Sequence, residues 1–270
     1  MDLIYEIPKT IHYCWFGGKP LGAEELRCIE SWKKYLPEYE IKRWDESNFD
    51  VCCCDYVSEA YRAKKWAFVS DYARFEILYR CGGLYFDTDV ELIRSIDDLI
   101  AMGPFMGFEL DFNKGEAGTV NPGLGLSAVP RLALYKEILD SYQEDHFLNN
   151  DGSLNLKTVV TRTTEILDLH GLIHQPGIQD VDGITIYPAE FFNPKDFWTG
   201  EIHLSDKTRT IHHFGMSWYT DEDKYRYELE KNFLKKFPNG KLAHRLAVIA
   251  TMVRYRDLSA VKGFIKRLGE

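Results

Sequence analysis

The stretch YRCGGLYFDTDVE (79–91) constrains the fold of this chain more than any other part of its sequence. Just before it, Ala67–Arg80 has large apolar side chains at three-to-four spacing, which predicts a helix. Gly82 and Gly83 are expected to end that helix, because glycine readily takes the left-handed conformation that closes helices. Leu84–Phe86 is apolar and predicts a short strand that is buried on both faces. A helix that turns at once into such a strand indicates an α/β sheet.

The segments on either side extend this pattern. Lys9–Phe16 and Tyr39–Trp44 predict strands, and Gly22–Tyr35 between them predicts a helix, which is how a parallel α/β sheet begins. Further segments continue the pattern, as helices at 55–65, 131–142, 158–170 and 221–237 and as strands at 105–109, 184–188 and 210–214. Because no repeat or linker interrupts the chain, we expect one domain over 1–240 and a helical appendage over 241–270.

Composition narrows the class of protein. Among 270 residues, 45% are hydrophobic and 14% aromatic, which is typical of a folded globular chain. The formal charge of −9 argues against a general nucleic-acid binder, which would carry a basic surplus. We expect neither a signal peptide nor a membrane span, because the first residues include acids and no apolar run approaches the ~20 residues that span a membrane. Its six cysteines form no CxxC pair, so they are interpreted as reduced thiols of a soluble, cytoplasmic protein.

Asp87 and Asp89 follow the central strand and are separated by one residue, so their side chains point in roughly the same direction. Left alone, two such carboxylates repel and one pKa rises. A divalent cation removes that conflict, since carboxylate oxygens suit Mg²⁺ or Mn²⁺ and leave positions open for phosphate oxygens. The alternative is that one Asp caps the next helix while the other is solvated.

Other polar residues offer partners for this pair. Asp71 and Arg74 lie three apart on the face of the helix that leads into the central strand, although such a pair can also be a weak surface ion pair. His212 and His213 lie on a later strand, where one imidazole faces the core and the other faces whatever lies opposite. A histidine in such a place is often purely structural.

Three blocks, IPKTIHYCWFGG, SDYARFEILYRCGGLYFDTDVEL and IHHFGMSW, occur in this order. Together they resemble the DxD-containing glycosyltransferases of family 32, which include the yeast initiating α-mannosyltransferase and many bacterial capsule enzymes. They are also similar, more distantly, to the catalytic domains of the clostridial glucosylating toxins. The resemblance covers roughly 5–110 and 205–220, and we match no motif between 111 and 200. It implies a GT-A fold, a Rossmann-like sheet flanked by helices that binds a nucleotide-sugar.

The resemblance also implies a role for individual residues. Asp71 and Arg74 contact the ribose and the transferred sugar and are the catalytic candidates. The remaining assignments are Trp15 for stacking on the nucleobase, Asp87 and Asp89 for the metal and the donor, His213 as a downstream metal ligand and Trp218 near the β-phosphate. The toxins have an acid where this chain has His213, but imidazole is compatible with Mn²⁺.

The implied reaction is metal-dependent transfer of a hexosyl unit with retention of configuration. The cofactor is Mn²⁺ or Mg²⁺. A UDP-sugar is the first candidate for the donor, and GDP-mannose is the second. The acceptor is a saccharide or a lipid-linked saccharide of surface polysaccharide synthesis, and Glu109 and Asn121 are candidates for lining its site. We find no nucleophile candidate, which suits a front-face mechanism in which the leaving phosphate helps to deprotonate the acceptor.

The end of the chain is basic, with seven Lys and Arg against two acids in 241–270. Its apolar spacing predicts a basic amphipathic pair of helices, broken near 257–259. One interpretation is that this segment docks on an anionic membrane surface, on the cytoplasmic side. The other is that it packs on the domain and leaves a solvated basic face.

Two other functions remain open. DTD could belong to a phosphohydrolase, but the DxDx[TV] pattern of haloacid dehalogenases has Thr or Val where this chain has Glu91. The chain could also be a protein that binds a nucleotide-sugar without turning it over. The set of candidate residues argues against that reading, and an assay of donor hydrolysis distinguishes the two.

Overall fold

The structure is a computed structural model that describes residues 6–112, 118–197, 199–215, 221–237 and 240–255. These residues fall into two compact units, one of 6–196 with 201–215 and one of 197–200 with 221–255. The boundary expected after residue 240 stays a prediction. In the structure, the helix over 221–236 belongs to the second of these units, because it packs along the helix that follows it.

The first unit alternates strands with helices along most of its length. Its helices are α1 (Ala23–Tyr35), α2 (Asp55–Arg62), α3 (Trp66–Cys81), α4 (Asp97–Ile100), α5 (Ala133–Gln143), α6 (Val159–Leu169) and α7 (Ala189–Phe192). Its strands are β1 (Thr10–Cys14), β2 (Glu40–Trp44), β3 (Gly83–Tyr85), β4 (Val90–Leu92), β5 (Phe105–Leu110), β6 (Thr119–Val120), β7 (Leu126–Ala128), β8 (Gln179–Val181), β9 (Ile184–Tyr187) and β10 (Thr210–His212).

The central sheet has the order β2-β1-β3-β7, in which β1 runs parallel to both β2 and β3 and β7 runs antiparallel to β3. A second sheet has the order β6-β5-β9-β8. The short strands β4 and β10 pair with each other in antiparallel fashion, so that His212 lies opposite Val90. The pairing of β4 with β10 therefore places residues 210–212, near the end of the first unit, next to the segment that follows β3.

Both faces of the central sheet are covered, as the apolar sequence of β3 predicts. Leu84 and Phe86 pack with Trp32 of α1 in one core cluster. Tyr85 points to the other face and packs with α3 residues such as Phe75. The alternation follows from the two-residue period of a strand, and it produces a helix–sheet–helix sandwich. The predicted α/β class is therefore confirmed.

Gly82 and Gly83 make the turn from α3 into β3. Their φ angles are +65° and +97°, a region that residues with a side chain rarely adopt. A Cβ on Gly83 would also lie 2.6 Å from the carbonyl oxygen of Thr10 in β1. The glycine pair therefore lets α3 run directly into the sheet, and it fixes the height of α3 relative to the carboxyl end of β3.

The long elements match the prediction to within a few residues, whereas β4, β6, β7, β8, α4 and α7 were not predicted. These six elements have two to four residues each, too few for a periodic pattern to show. All six cysteines are unpaired, in agreement with the expected reduced thiols.

The second unit contains α8 (Asp221–Lys236) and α9 (Gly240–Arg254), which pack against each other. Ala243, Ala247 and Thr251 are the buried residues of α9. The predicted second helix of the basic tail lies outside the described residues. Within the described part of the chain, no helix is long and apolar enough to cross a membrane.

Candidate functional site

Arg74 occupies the centre of the polar cluster that follows β3. Its Nη2 lies 2.9 Å from Oδ1 of Asp71 and 3.3 Å from Oδ1 of Asp87, and its side chain is only 4% exposed. The guanidinium lies over the ring of Tyr85, 5.0 Å from its centre, and the Tyr85 hydroxyl donates to Asp87 at 3.0 Å. The helix face of α3 and the end of β3 therefore bring Asp71, Arg74 and Asp87 together, as the sequence predicted.

Burial and charge shift the pKa values of this cluster in opposite directions. Burial raises the pKa of Asp71 to about 6, although Arg74 opposes that shift by attracting the carboxylate. Burial also raises the pKa of Asp87 above its ordinary value, again against the attraction of Arg74. The carboxylates in turn hold the pKa of Arg74 above its usual range, despite the desolvation of the guanidinium. Arg74 thus stays a cation.

Asp89 has different partners from Asp87. Its Oδ1 lies 3.3 Å from Nε2 of His212, and its Oδ2 accepts the backbone N–H of Gly215 at 2.8 Å. Burial opposes the ionised form, but His212 outweighs it and lowers the pKa of Asp89. The carboxylates raise the pKa of His212 in turn, although burial acts the other way. The ring Nδ1 of His212 is buried and has no hydrogen-bond partner among the described residues.

His213 is placed differently from what the sequence suggested. Its backbone N–H donates to the carbonyl oxygen of Asp89 at 2.9 Å, so the segment does return to the DxD motif. Its ring, however, lies 2.8 Å from Glu91 and 3.4 Å from Arg27, outside the contact with Asp89. The imidazole that faces Asp89 is that of His212, because neighbouring residues at the end of β10 point to opposite sides. The geometry therefore favours His212 over His213 as a partner of the motif.

Glu109 and Asn121 join the site through a chain of hydrogen bonds. The Asn121 amide donates to Glu109 at 3.0 Å, and its oxygen accepts the N–H of Gly123 at 2.7 Å. The carbonyl oxygen of Gly123 then accepts the N–H of Asp87 at 3.0 Å. A Cβ on Gly123 would lie 2.1 Å from Asp87 Oδ2, so this position is filled by the carboxylate itself.

The two predicted aromatic residues differ in how far they can be placed. Trp15 follows β1 at the same sheet edge, and its indole N–H donates to the carbonyl oxygen of Lys19 at 2.6 Å. That bond fixes the ring, which packs partly against the core. Trp218 lies outside the described residues.

The cluster has the charge and the ligand types that a divalent cation requires. Asp71, Asp87 and Asp89 outnumber Arg74 by two formal charges when His212 is neutral. Asp89 and His212 offer a carboxylate oxygen and an imidazole nitrogen side by side, both of which suit Mn²⁺. Among the described residues, no group of three or more His, Cys, Asp or Glu side chains is arranged to hold a metal. The protein thus offers a pair of ligands, which is a common arrangement where phosphate oxygens and water supply the rest.

The sequence signals for the residues that prediction missed are weak. Tyr85 lies two positions before Asp87 and therefore points to the same side of the strand, which the sequence could have indicated. His212 could not be chosen over His213 before the register of β4 and β10 was known. Gly123 and Gly215 act through backbone groups, which leave no mark in the residue pattern.

Part of the chain is similar to known proteins. Residues 22–106 match the model of the glycosyltransferase sugar-binding region containing DXD motif. The chain is 34% identical over 106 residues to inositol phosphoceramide mannosyltransferase 3 of Schizosaccharomyces pombe, covering 35% of this chain and 27% of that protein. It is 28% identical over 108 residues to an uncharacterized glycosyltransferase of Acanthamoeba polyphaga mimivirus, covering 37% and 42%. The matches thus span less than half the length of these relatives.

Solved structures with similarity to the chain include the PaToxG glycosyltransferase, with 16% identity and a TM-score of 0.48 over 62% of this chain and 71% of that one. The galactosyltransferase LgtC, in complex with donor and acceptor sugar analogs, gives 14% identity and a TM-score of 0.41 over 78% and 90%. The family model and the curated relatives confirm the resemblance seen in the sequence: residues 22–106 of this chain are similar to the DXD-containing sugar-binding region of glycosyltransferases.

Proposed function

We propose that this chain is a metal-dependent, retaining glycosyltransferase that moves a hexosyl unit from a nucleotide-sugar to a saccharide or lipid-linked saccharide. The observation that carries the proposal is the burial of Arg74 between Asp71 and Asp87, next to the Asp89–His212 pair. Open α/β sheets bind their ligands at the carboxyl ends of the strands. The buried guanidinium of Arg74 and its carboxylate partners lie at that end of β3. The matched DXD region contains four of these five residues.

In this proposal the polar cluster binds the donor sugar and its diphosphate. Asp71 accepts from sugar or ribose hydroxyls and positions Arg74, whose remaining N–H groups face the transferred sugar. Transfer breaks the bond between the anomeric carbon and the phosphate oxygen and forms one between that carbon and the acceptor oxygen, whose proton passes to the leaving phosphate. Negative charge develops on the diphosphate while the sugar becomes oxocarbenium-like. Arg74 stabilises that charge in a site with little water, where electrostatic effects are strong. Trp15 stacks on the base, and Trp218 keeps its predicted place near the β-phosphate.

Asp89 and His212 are the residues that would hold Mn²⁺ or Mg²⁺, with Asp87 contributing through water. The bound cation would neutralise the leaving diphosphate as a Lewis acid. Asp87 is less suited to direct contact, because its carboxylate already accepts from Tyr85 and Arg74. This assignment differs from the prediction for His213, whose ring pairs with Glu91.

Glu109 and Asn121 are proposed to line the acceptor site. Asn121 is 7% exposed and holds one carboxylate oxygen of Glu109 in place, while Glu109 itself is half-buried at the end of β5. A carboxylate held in this way can accept a hydrogen bond from an acceptor hydroxyl. We expect Glu109→Gln to lower transfer to an added saccharide by more than it lowers hydrolysis of the donor, and equal losses in both would contradict this role.

The identity of donor and acceptor follows from the relatives only as a proposal. The name of the S. pombe relative specifies a mannosyl donor and a phosphate-bearing lipid acceptor. That supports GDP-mannose as a second candidate beside a UDP-sugar, and it supports an acceptor that is presented by a membrane. We propose, from the resemblance to capsule enzymes, that the reaction belongs to surface polysaccharide synthesis and takes place in the cytoplasm at the inner face of the membrane.

The deciding experiment is donor hydrolysis by the full chain, measured for UDP- and GDP-sugars with Mn²⁺ and with EDTA. We expect turnover with Mn²⁺, none with EDTA and at least a hundredfold loss in Asp89→Asn. The matched control is Asp140→Asn, an exposed acid on α5 that pairs with Lys136. Binding of a nucleotide-sugar without turnover would replace the enzyme with a binding protein, and neither binding nor turnover would end the proposal.

A further inference from the structure

The helix α9 buries small side chains and leaves its larger apolar side chains on the opposite side. The side that packs in the α8–α9 pair consists of Ala243, Ala247 and Thr251, which are at most 2% exposed. On the opposite side lie larger side chains at helical spacing. We call this the outer face of α9, and it consists of Leu246, Ile249, Met252 and Val253.

The outer face remains in contact with solvent. Val253 is 55% exposed, and the other three residues are half-buried. In a helix that only stabilises its own unit, the large apolar side chains normally point inward. An apolar stripe that points outward is typical of a surface that binds a partner protein or a membrane.

Charge indicates which partner this is. The sequence of α9, GKLAHRLAVIATMVR, contains Lys241, Arg245 and Arg254 and no acid. The residues that follow, 256–270, add four more Lys and Arg against two acids. Apolar side chains beside an excess of cations are the pattern of helices that lie in the interface of an anionic membrane.

The same charge argues against a second copy of this chain. Leu246, Ile249 and Val253 have the three-and-four spacing of a coiled-coil seam, which two copies could share. An isologous pair of α9 helices would, however, bring cations against cations, with no acid on either helix to compensate. The anionic surface is therefore the partner that complements both properties of the helix.

We propose that the outer face of α9 docks the protein on membranes that contain anionic lipids. The apolar side chains enter the boundary between headgroups and acyl chains, and the exposed Arg245 beside them contacts the headgroups, whereas Arg254 lies over the ring of Tyr225 in α8. Docking would bring the enzyme to a lipid-linked acceptor, so this proposal rests on the proposed function. It concerns a surface on the second unit, whose described residues include none of the proposed donor-binding residues.

The test is co-sedimentation of the full chain with vesicles of phosphatidylcholine alone or of phosphatidylcholine and phosphatidylglycerol at 7:3, at low salt. We expect binding to the mixed vesicles only, and at least a tenfold weaker partition for the double variant Ile249→Glu/Val253→Glu. Arg245→Glu is a second variant that leaves the apolar face intact, and it should also weaken binding. Leu169→Glu, at a position 81% exposed on α6, is the control that should bind like the wild type.

Several outcomes would overturn the proposal. One is that the wild type does not sediment with mixed vesicles, and another is that the double variant sediments as well as the wild type. A third is a wild-type dimer in sedimentation velocity that the double variant converts to a monomer, since a second copy would then cover the face. Donor hydrolysis is measured without vesicles. If the protein hydrolyses the donor but does not bind vesicles, the docking proposal fails and the proposed function stands.

Discussion

Arg74 is a buried cation with carboxylate oxygens of Asp71 and Asp87 within 3.4 Å. Lysine would keep the charge but could not reach both carboxylates through a rigid fork of N–H groups. We expect Arg74→Lys to lower turnover of nucleotide-sugar by about a hundredfold, the order found when one charge-stabilising donor is removed. Arg74→Ala would leave the buried Asp71 and the partly exposed Asp87 without their cation, and it should cost about 3 kcal/mol of folding free energy, the lower end of the range for a broken buried pair.

The matched control for these variants is Arg80→Lys on the same helix, whose side chain is 55% exposed and pairs with Glu76. It should change neither turnover nor the thermal unfolding midpoint. Wild-type turnover in Arg74→Lys would mean that Arg74 only balances buried charge. The two measurements together separate a role in transfer from a role in folding.

The neighbouring histidines give a second prediction. His212 faces Asp89 at 3.3 Å, whereas His213 faces Glu91 at 2.8 Å. We expect His212→Gln to raise the Mn²⁺ concentration needed for half-maximal turnover by at least tenfold. His213→Gln should shift it by less than threefold, because that ring belongs to a partly exposed ion cluster. Titration of activity with Mn²⁺ measures both, and the reverse order would return the role to His213.

At the scale of elements, the turn from α3 into β3 determines where Arg74 lies. Gly83 has a φ of +97°, and a Cβ there would lie 2.6 Å from the Thr10 carbonyl oxygen. Gly171 has a similar φ of +91°, but a Cβ there would meet no described atom within 4 Å, so Gly171→Ala carries the backbone strain alone. We expect that strain to cost about 1–3 kcal/mol in both variants and Gly83→Ala to cost more, since β1 must also move. Urea unfolding of both proteins gives the difference, and equal losses would show that β1 yields freely.

The contact between α5, α6 and the β8–β9 turn depends on pH. His170 ends α6, and its two ring nitrogens lie 2.5 Å from Asp182 and 2.9 Å from Glu137. The hydrogen bond to Asp182 and the pair with Glu137 raise the pKa of His170, while partial burial lowers it. A raised histidine pKa stabilises the fold fully below its unfolded value of about 6.5, and that stability is lost as the pH rises through the folded pKa.

We therefore expect the free energy of unfolding to fall by at most about 1 kcal/mol as the pH rises from 6 to 9, because the side chains are partly exposed. His170→Gln should remove this part of the pH dependence. Urea unfolding across that range measures it, with His203→Gln, an exposed histidine far from these helices in sequence, as the control. An unchanged pH profile in His170→Gln would show that the ion pairs contribute nothing in solution.

For the molecule as a whole, the sequence was most informative where a pattern was long. The 16 residues of α3 and the strand after it predicted the α/β class, the sheet edge and the meeting of Arg74 with the carboxylates. The three-residue pairing of β4 with β10 was invisible, because register is a property of two strands and not of either sequence. That pairing decides which histidine faces Asp89.

The charge of the site leads to a prediction about the folded molecule as a whole. With His212 neutral, Asp71, Asp87, Asp89 and Arg74 carry a formal charge of −2, and a nucleotide-sugar brings a negatively charged diphosphate to the same place. The nucleotide-sugar should therefore bind poorly to this site unless a divalent cation lies between the like charges. We expect Mn²⁺ and UDP-sugar or GDP-mannose together to raise the unfolding midpoint by more than the sum of their separate shifts, because a ligand that binds only the folded state stabilises it by mass action. EDTA should reverse the shift, and Asp89→Asn should lose it while Asp140→Asn keeps it. The same shift in EDTA would mean that Arg74 alone holds the diphosphate, and the proposal of a metal at Asp89 and His212 would then fail.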